Sequence, residues 1–230
     1  MRAHWIKDLT VHEDYIIKGD ALHHLAHVVR IKIGEELLLL NGKGQLVHTI
    51  VNMISKKELY LKMFSNFTQE RKFQFDLALG IPKKEALELC LKEATELGVR
   101  NIYLIRSDFS QTGLPEPERI ERILVSALEQ SNAAFIPTVI EATWDSIPWH
   151  VYGQALLMDS QTKVQTKSQS SELTASRLLI VGPEGGFSPK ELANFHDRQL
   201  VRVVNLPTPI LRTTTAVATG MGIMIESLLK

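Results

Sequence analysis

The sequence predicts an α/β protein in two parts, a small β-barrel with one helix followed by a parallel sheet covered by helices on both faces. Three observations predict it. Up to about residue 72 the strand-like runs are short and separated by turn signals. After that point apolar strands alternate with amphipathic helices, the rhythm of a parallel sheet. The chain is 230 residues long, 44% hydrophobic and 23% charged, an ordinary folded composition and longer than the roughly 100 to 150 residues of one typical domain. The expected domains are residues 1–72 and 73–230.

In the first part the expected strands are Tyr15 to Lys18, Glu36 to Leu40, Leu46 to Ile54 and Leu59 to Phe64. Asn41-Gly42-Lys43-Gly44 is a strong turn signal, and Asp20 to Arg30 has a helical pattern. The polar stretch Asn66 to Lys72 marks the boundary. Beyond it, Phe75 to Leu79 reads as a strand, and Pro82 opens a helix that buries Leu87, Cys90, Leu91, Ala94 and Leu97 and stops at Gly98. Further strands are expected at Ile102 to Ile105, Thr138 to Ala142, Ala155 to Met158, Leu178 to Val181 and Val201 to Leu206. Helices are expected at Pro117 to Ser131, Ser188 to Asp197 and Arg212 to Leu229, with an exposed connection rich in Ser, Thr and Gln between Asp159 and Arg177. Ligands of such sheets bind at the carboxyl ends of the strands.

Charge divides the two parts. Residues 1–72 carry 11 Lys and Arg against 8 Asp and Glu, the remainder 15 against 18, so the net charge of zero conceals +3 and −3. His4, His12, His23, His24, His27 and His48 also lie in the first part. A weakly basic module fits a polyanionic partner, although a solvated surface would show the same counts. Cys90 is the single cysteine, which excludes an intrachain disulfide and a thiolate zinc site. His23 and His27 stand four apart on a helix, but no third ligand accompanies them, so no metal is expected. No stretch reaches the ~18 apolar residues of a membrane span, and a soluble, cytoplasmic protein is expected.

Two segments carry chemistry. In the first, Leu178 to Glu191, a buried strand runs into Gly182-Pro183-Glu184-Gly185-Gly186-Phe187 and then into Ser188, Pro189 and Glu191, the N-cap, first-turn proline and capping-box glutamate of a helix. Gly185 and Gly186 permit unusual backbone and close approach to a ligand. The loop matches neither G-x-G-x-x-G nor a P-loop, where Phe187 replaces the second glycine. Local chemistry alone does not separate a ligand loop from an ordinary strand-to-helix turn. In the second segment, Asn205 to Ala216, a proline-containing loop enters a helix through Thr213, Thr214 and Thr215, whose hydroxyls could cap free N–H groups. Arg212 stands at the positive end of that helix, which is unfavourable without an anionic partner or a surface salt bridge.

Together these segments resemble the SPOUT methyltransferases, specifically the 16S ribosomal RNA (uracil-N3) methyltransferase family, along nearly the whole chain. His24-Leu25-Ala26-His27-Val28-Val29-Arg30 followed by Gly34 is similar to the family's N-terminal motif. Leu79-Gly80, Lys83, Ala94 to Val99, Glu129-Gln130-Ser131, Gly182 to Phe187 and Ile210 to Thr213 then match in order. The resemblance implies a PUA-like RNA-binding barrel and a SPOUT trefoil-knot domain. It implies S-adenosylmethionine held by Leu157, Gly182, Glu184, Gly185, Gly186, Leu206, Leu211, Arg212, Thr213 and Ala216, and RNA contacts from Arg2, His24, His27 and Arg30. It further implies a homodimer, with Ala216, Ala218, Gly220 and Gly222 allowing close packing, and small-subunit 16S ribosomal RNA as substrate, methylated at uridine N3.

The chain departs from the family at Pro207, Pro209 and Thr214, where the pattern L-G-x-R-I-L-R-x-E-T-A has glycine, arginine and glutamate, and at Asn132 and Ala133, where glycine and arginine are usual. Two cations are therefore missing from the expected RNA path, a change that bears on RNA affinity and target. Arg212 is the candidate catalytic group, stabilising a developing uracil anion or positioning phosphate. Rival readings are an RNA-binding protein with the pocket but no catalysis, a related enzyme with another RNA target, and a nucleotide-dependent metabolic enzyme.

Overall fold

The computed structural model describes residues 1–160 and 176–227, so the body of the Ser/Thr/Gln-rich connection lies outside the described residues. Two compact units are present, Met1–Arg71 with Leu128–Ile136, and Lys72–Ala127 with Pro137–Lys230. The short segment 128–136 thus belongs with the N-terminal unit, far beyond the boundary read from composition.

The first unit contains β1 (Arg2–Trp5), β2 (Asp14–Ile17), the helix α1 (Gly19–His23), β3 (Glu36–Leu40), β4 (Gln45–Ile54) and β5 (Leu59–Thr68), with sheet order β1-β3-β4-β5-β2. Strand β1 was not expected; its four residues are held by parallel pairing with β3, Arg2 opposite Leu37. Leu37 and Leu39 face a core with Leu22, Leu25, Val47, Leu59 and Leu61, while Leu38 and Leu40 face a second cluster with Leu46, Leu128 and Ala134. Burial on both faces explains four consecutive leucines. Between β3 and β4, Asn41 Oδ1 accepts from the N–H groups of Lys43 and Gln45, at 2.8 and 3.1 Å.

The expected single helix from Asp20 to Arg30 is instead α1 followed by a π-helical turn, His24–Val28, in which the Val29 N–H reaches the His24 carbonyl at 2.9 Å. Arg30 then takes a left-handed conformation with φ of 56°, the position glycine usually fills after a helix. In the same unit Glu129 Oε1 lies 3.1 Å from His4 Nδ1 and accepts from the Trp5 N–H at 2.8 Å. Burial works to raise its pKa, yet these contacts and the neighbouring His4 and His24 hold it below the ordinary carboxylate value. Asn132 has φ of 55° and the Ala133 N–H bonds the Leu128 carbonyl at 3.1 Å. Asparagine tolerates this left-handed helix end better than most residues, which accounts for Asn132 where glycine is usual.

The second unit is a six-stranded, all-parallel sheet of β6 (Phe75–Gly80), β7 (Asn101–Ile105), β8 (Thr138–Ala142), β9 (Tyr152–Met158), β10 (Ser176–Val181) and β11 (Val201–Val204), in the order β11-β9-β10-β6-β7-β8. Helices α2 (Lys84–Glu96), α3 (Pro117–Ser131), α4 (Pro189–His196) and α5 (Thr213–Glu226) accompany it. Helix α2 starts two residues after Pro82, with Lys83 as N-cap, and ends where Gly98 takes φ of 76°. On one sheet face Ala78, Tyr103, Leu157 and Ile180 pack with Trp144, Trp149 and Phe195. Helix α5 meets β10 closely, since a Cβ on Gly220 would lie 2.5 Å from Leu179 Cδ1. The small residue expected to serve a dimer therefore serves packing within the chain.

Strands β6 to β8 run outward in sequence, whereas β9 lies on the other side and β10 fills the place between β9 and β6. Strand order thus reverses beside β6 and β10, and a crevice opens at the carboxyl ends. The amino ends are closed by Asp76, a fully buried carboxylate that accepts from Arg100, the Asn101 N–H and the Tyr152 hydroxyl. Burial, then the hydrogen bonds to Asp76 and Tyr103, push the Tyr152 phenol well above its ordinary value. Among the described residues no helix is long and apolar enough to cross a membrane.

Candidate active site

Strand β10 ends at Val181, and Gly182–Phe187 turns sharply, the Gly186 N–H bonding the Pro183 carbonyl at 2.9 Å. The turn is tight against its neighbours. A Cβ on Gly80 would lie 2.6 Å from Pro183 Cδ, and one on Gly182 would lie 3.1 Å from the Gly186 carbonyl carbon. Of the two adjacent glycines, Gly186 has φ of 71°; Gly185 has no such conformation, and a side chain there would meet Phe109 Cβ at 2.9 Å. The Glu184 carboxylate bends back to accept from the Lys83 N–H at the start of α2, at 3.0 and 3.2 Å.

The loop then enters α4 through the expected capping box. Ser188 Oγ accepts from the Glu191 N–H at 3.3 Å and Glu191 Oε2 from the Ser188 N–H at 2.8 Å. The structure adds what the motif did not show. Glu191 Oε1 also accepts from the Ser107 hydroxyl at 2.6 Å, the Trp144 indole N–H at 2.7 Å and the Asp108 N–H at 3.3 Å. The Ser188 hydroxyl in turn donates to Asp108 at 2.5 Å. Glu191 is only 7% exposed, and a buried carboxylate saturated with donors acts as a clamp rather than a base.

The second loop, from Asn205 to Arg212, leaves β11 and enters α5. Its threonines do not cap that helix as expected, for the N-cap is Arg212 without a side-chain bond. Thr213, 5% exposed, donates instead to the Gly182 carbonyl at 3.2 Å, because that carbonyl lies just past the sheet pairing of β10. One hydroxyl thereby joins the two loops.

Between them lies a cavity of about 350 Å³. Gly182, Glu184, Gly185, Gly186, Leu206, Leu211, Arg212, Thr213 and Ala216 all line it. Leu157 does not: it is fully buried, its side chain in the core beneath and its residue laddered to β10 and β11. Strand β9 contributes through Met158, Asp159 and Ser160 instead. Val204 and Leu192, also in the lining, had no sequence signal beyond their places at a strand end and a helix start.

The residues present suit S-adenosylmethionine. The glycine cradle offers backbone groups at a distance a Cβ would forbid, and the size is that of a small-molecule site. Asp159 and Glu184 add negative charge for a ligand with a sulfonium and an ammonium group.

Comparison with known proteins decides the family. The RNA methyltransferase domain model matches residues 69–225, and the RNA methyltransferase PUA domain model matches residues 17–64. The chain belongs to the RNA methyltransferase family. Its relatives include proteins named ribosomal RNA small subunit methyltransferase E from Rickettsia conorii, 26% identical over 87% of this chain and 84% of that one, and from Mycobacterium tuberculosis, 28% identical over 90% and 84%. The structure of the Neisseria gonorrhoeae enzyme of that name, bound to S-adenosyl methionine, superposes with a TM-score of 0.84 at 22% identity, covering 99% of this chain and 98% of the other. The fold is thus the α/β fold read from the sequence, a PUA-like barrel followed by a SPOUT parallel-sheet domain.

In this RNA methyltransferase the four residues expected to touch RNA lie in the first unit. His24, His27 and Arg30 are exposed on or just after the π-helical turn, although the ring pair that forms is His23 with His27, at 4.8 Å. Arg2 is exposed but paired with Glu35 at 2.6 Å. The Arg212 side chain is exposed at the cavity and makes no ion pair or hydrogen bond with the described residues.

Proposed function

We propose that the chain methylates N3 of a single uridine in 16S ribosomal RNA of the small subunit, using S-adenosylmethionine, as a cytoplasmic homodimer. The observation that carries this reading is the meeting of Gly182–Phe187 and Leu206–Thr213 around one cavity at the carboxyl ends of three parallel strands, joined by the Thr213 hydroxyl. Family membership supplies the reaction class, and the names of the relatives point to the small-subunit RNA.

When bound, S-adenosylmethionine supplies a methyl carbon on a sulfonium, the base nitrogen taking the carbon while the C–S electron pair stays on sulfur. The chain's part is alignment and electrostatics. The glycine backbone and the carboxyl ends of β9 to β11 hold the ligand. Arg212, its side chain free at the cavity, faces the negative charge that uracil gains as its N3 proton passes to solvent water. Arg2, His24, His27 and Arg30 hold RNA phosphates on the barrel.

The test incubates the protein and labelled S-adenosylmethionine with small ribosomal subunits from a strain lacking the activity, then maps the label. One uridine blocked at N3, visible as a stop to reverse transcription, is the expected result. Arg212→Ala should lower turnover by about 100-fold, the loss typical of one charge-stabilising donor, with a much smaller change in cofactor affinity. Tight cofactor binding without transfer to any RNA would overturn the reading in favour of RNA binding without catalysis. A mark on another base would show a different RNA target, in keeping with the departures at Pro209 and Ala133.

A further inference from the structure

The loop after β7 takes no part in the cofactor cavity, yet it is built against it. Ser107 and Asp108 are bonded to Glu191 and Ser188, immediately after the glycine turn. The loop is stiffened internally, Ser110 Oγ accepting from the Ser107 N–H at 3.1 Å and the Ser110 N–H donating to the Ser107 carbonyl at 3.0 Å. Farther along, the Thr112 hydroxyl donates to the Pro82 carbonyl at 2.7 Å. At its tip Phe109 is 45% exposed, although its Cβ and ring occupy the space that a side chain on Gly185, which lines the cavity, would enter, 2.9 and 3.3 Å from a Cβ there. Arg106, at the base of the same loop, is exposed and without a hydrogen-bond or ion-pair partner among the described residues.

An aromatic ring half in water costs free energy when nothing covers it. Here the ring is fixed on a loop with at least five hydrogen bonds to its neighbours and itself, so little freedom remains to be lost on binding. A base taken out of its RNA helix or loop loses its stacking and needs a flat apolar surface beside the reacting groups.

We propose that Phe109 is the surface on which the target base stacks, that Arg106 meets the adjoining phosphate, and that Glu191 is the positioning residue that sets their loop against the glycine turn. The proposal rests on the RNA-methylating reading of the same cavity and names the groups that receive its substrate. Gly185 follows from it: the glycine lets the ring lie against the wall of the cavity. Phe109 touches the base face and Arg106 the backbone, so the first acts on alignment of the base and the second on affinity for any strand, with a salt dependence.

The experiment compares Phe109→Ala, Phe109→Leu and Phe109→Tyr in the full chain, measuring S-adenosylmethionine affinity by calorimetry, RNA binding, and kcat/KM for small subunits. Loss of one stacked base should lower kcat/KM and RNA affinity about tenfold in the alanine variant, with cofactor affinity within about twofold of the parent. Tyrosine should restore both, whereas leucine, apolar but not flat, should not. Equal behaviour of leucine and tyrosine, or an alanine variant as active as the parent, would overturn the stacking role while leaving methyl transfer intact. A fall in cofactor affinity matching the fall in turnover would overturn it too, by making Phe109 part of the cofactor wall. If the parent transfers methyl to no RNA, the functional reading fails by itself and RNA binding decides the stacking, undiminished affinity in the alanine variant overturning it. Glu191→Gln keeps an oxygen for Ser107 and Trp144 but not a second acceptor for Ser188, and should raise KM for RNA.

Discussion

The two loops that wall the cavity are held in opposite ways. Gly182–Phe187 is pinned from outside itself, by Pro183 over Gly80, by Glu184 on the Lys83 N–H and by the Ser188–Glu191 box with its three further donors. The Asn205–Arg212 loop has the short Thr208 N–H to Leu206 carbonyl bond, the proline rings of Pro207 and Pro209, and an Ile210 that is 83% exposed. The side-chain bond that ties its end to the first loop is the Thr213 hydroxyl. A preformed wall on one side and a stiff but little-buried wall on the other suit a cofactor that must enter and leave. The first loop fixes the geometry, and the second is completed by what it covers.

The strongest way to break this comparison is Glu191→Ala. It leaves the donors of Ser107, Trp144, Ser188 and Asp108 facing a cavity, and truncating a buried, fully bonded carboxylate should cost on the order of 3 kcal/mol. Denaturant unfolding of the full chain measures it. Cofactor affinity should fall with it at temperatures where the fold survives, because the glycine turn loses its clamp. A variant as stable as the parent would mean that the first loop is held by Pro183 over Gly80 and by Glu184 on the Lys83 N–H without the clamp.

Thr213→Val is the intermediate case. The substitution keeps volume and removes one hydroxyl whose acceptor, the Gly182 carbonyl, is buried. A loss of about 1 kcal/mol in stability is expected for such a bond, together with a weakening of S-adenosylmethionine binding in calorimetry, since the two walls separate. Loss of stability with binding unchanged would show that the walls are coupled through the helix and not through this bond.

The loops themselves were legible in the sequence because their causes are local. Glycines, prolines and a capping box act within a few residues, and the strands feeding them are continuous apolar runs because both sheet faces are covered. What stayed hidden depends on distant partners. Glu191 meets Ser107 and Trp144 across 84 and 47 positions, and no motif in 106–113 announces that contact. Strand β1 exists through its pairing with β3, and the π-helical turn at His24–Val28 has the same residue pattern as an α-helix. Leu157, expected at the cofactor, lies in the core, and the lining from its strand comes from Met158, Asp159 and Ser160, the residues that follow it. Thr213 was read as a cap from its place in the helix, whereas its hydroxyl donates to a carbonyl 31 positions away, on another loop.

The smallest expected effect is that of Ile210→Ser. The side chain lines the cavity yet is mostly exposed, so the unliganded protein buries little apolar surface there. Stability without ligand should change by less than about 0.5 kcal/mol, as for other surface sites. With S-adenosylmethionine present the same residue becomes part of the cover over the ligand, and the thermal shift produced by saturating ligand should be smaller in the variant than in the parent. Amide exchange sharpens the contrast: ligand should slow exchange across Asn205–Arg212 more than at Gly186, whose N–H is already bonded to the Pro183 carbonyl in its absence. Equal protection of both loops by ligand would mean that neither is preformed. A serine variant destabilised without ligand as much as Thr213→Val would mean that the second loop is packed in its own right, and the difference between the two walls would then lie in exposure alone and not in how they are held.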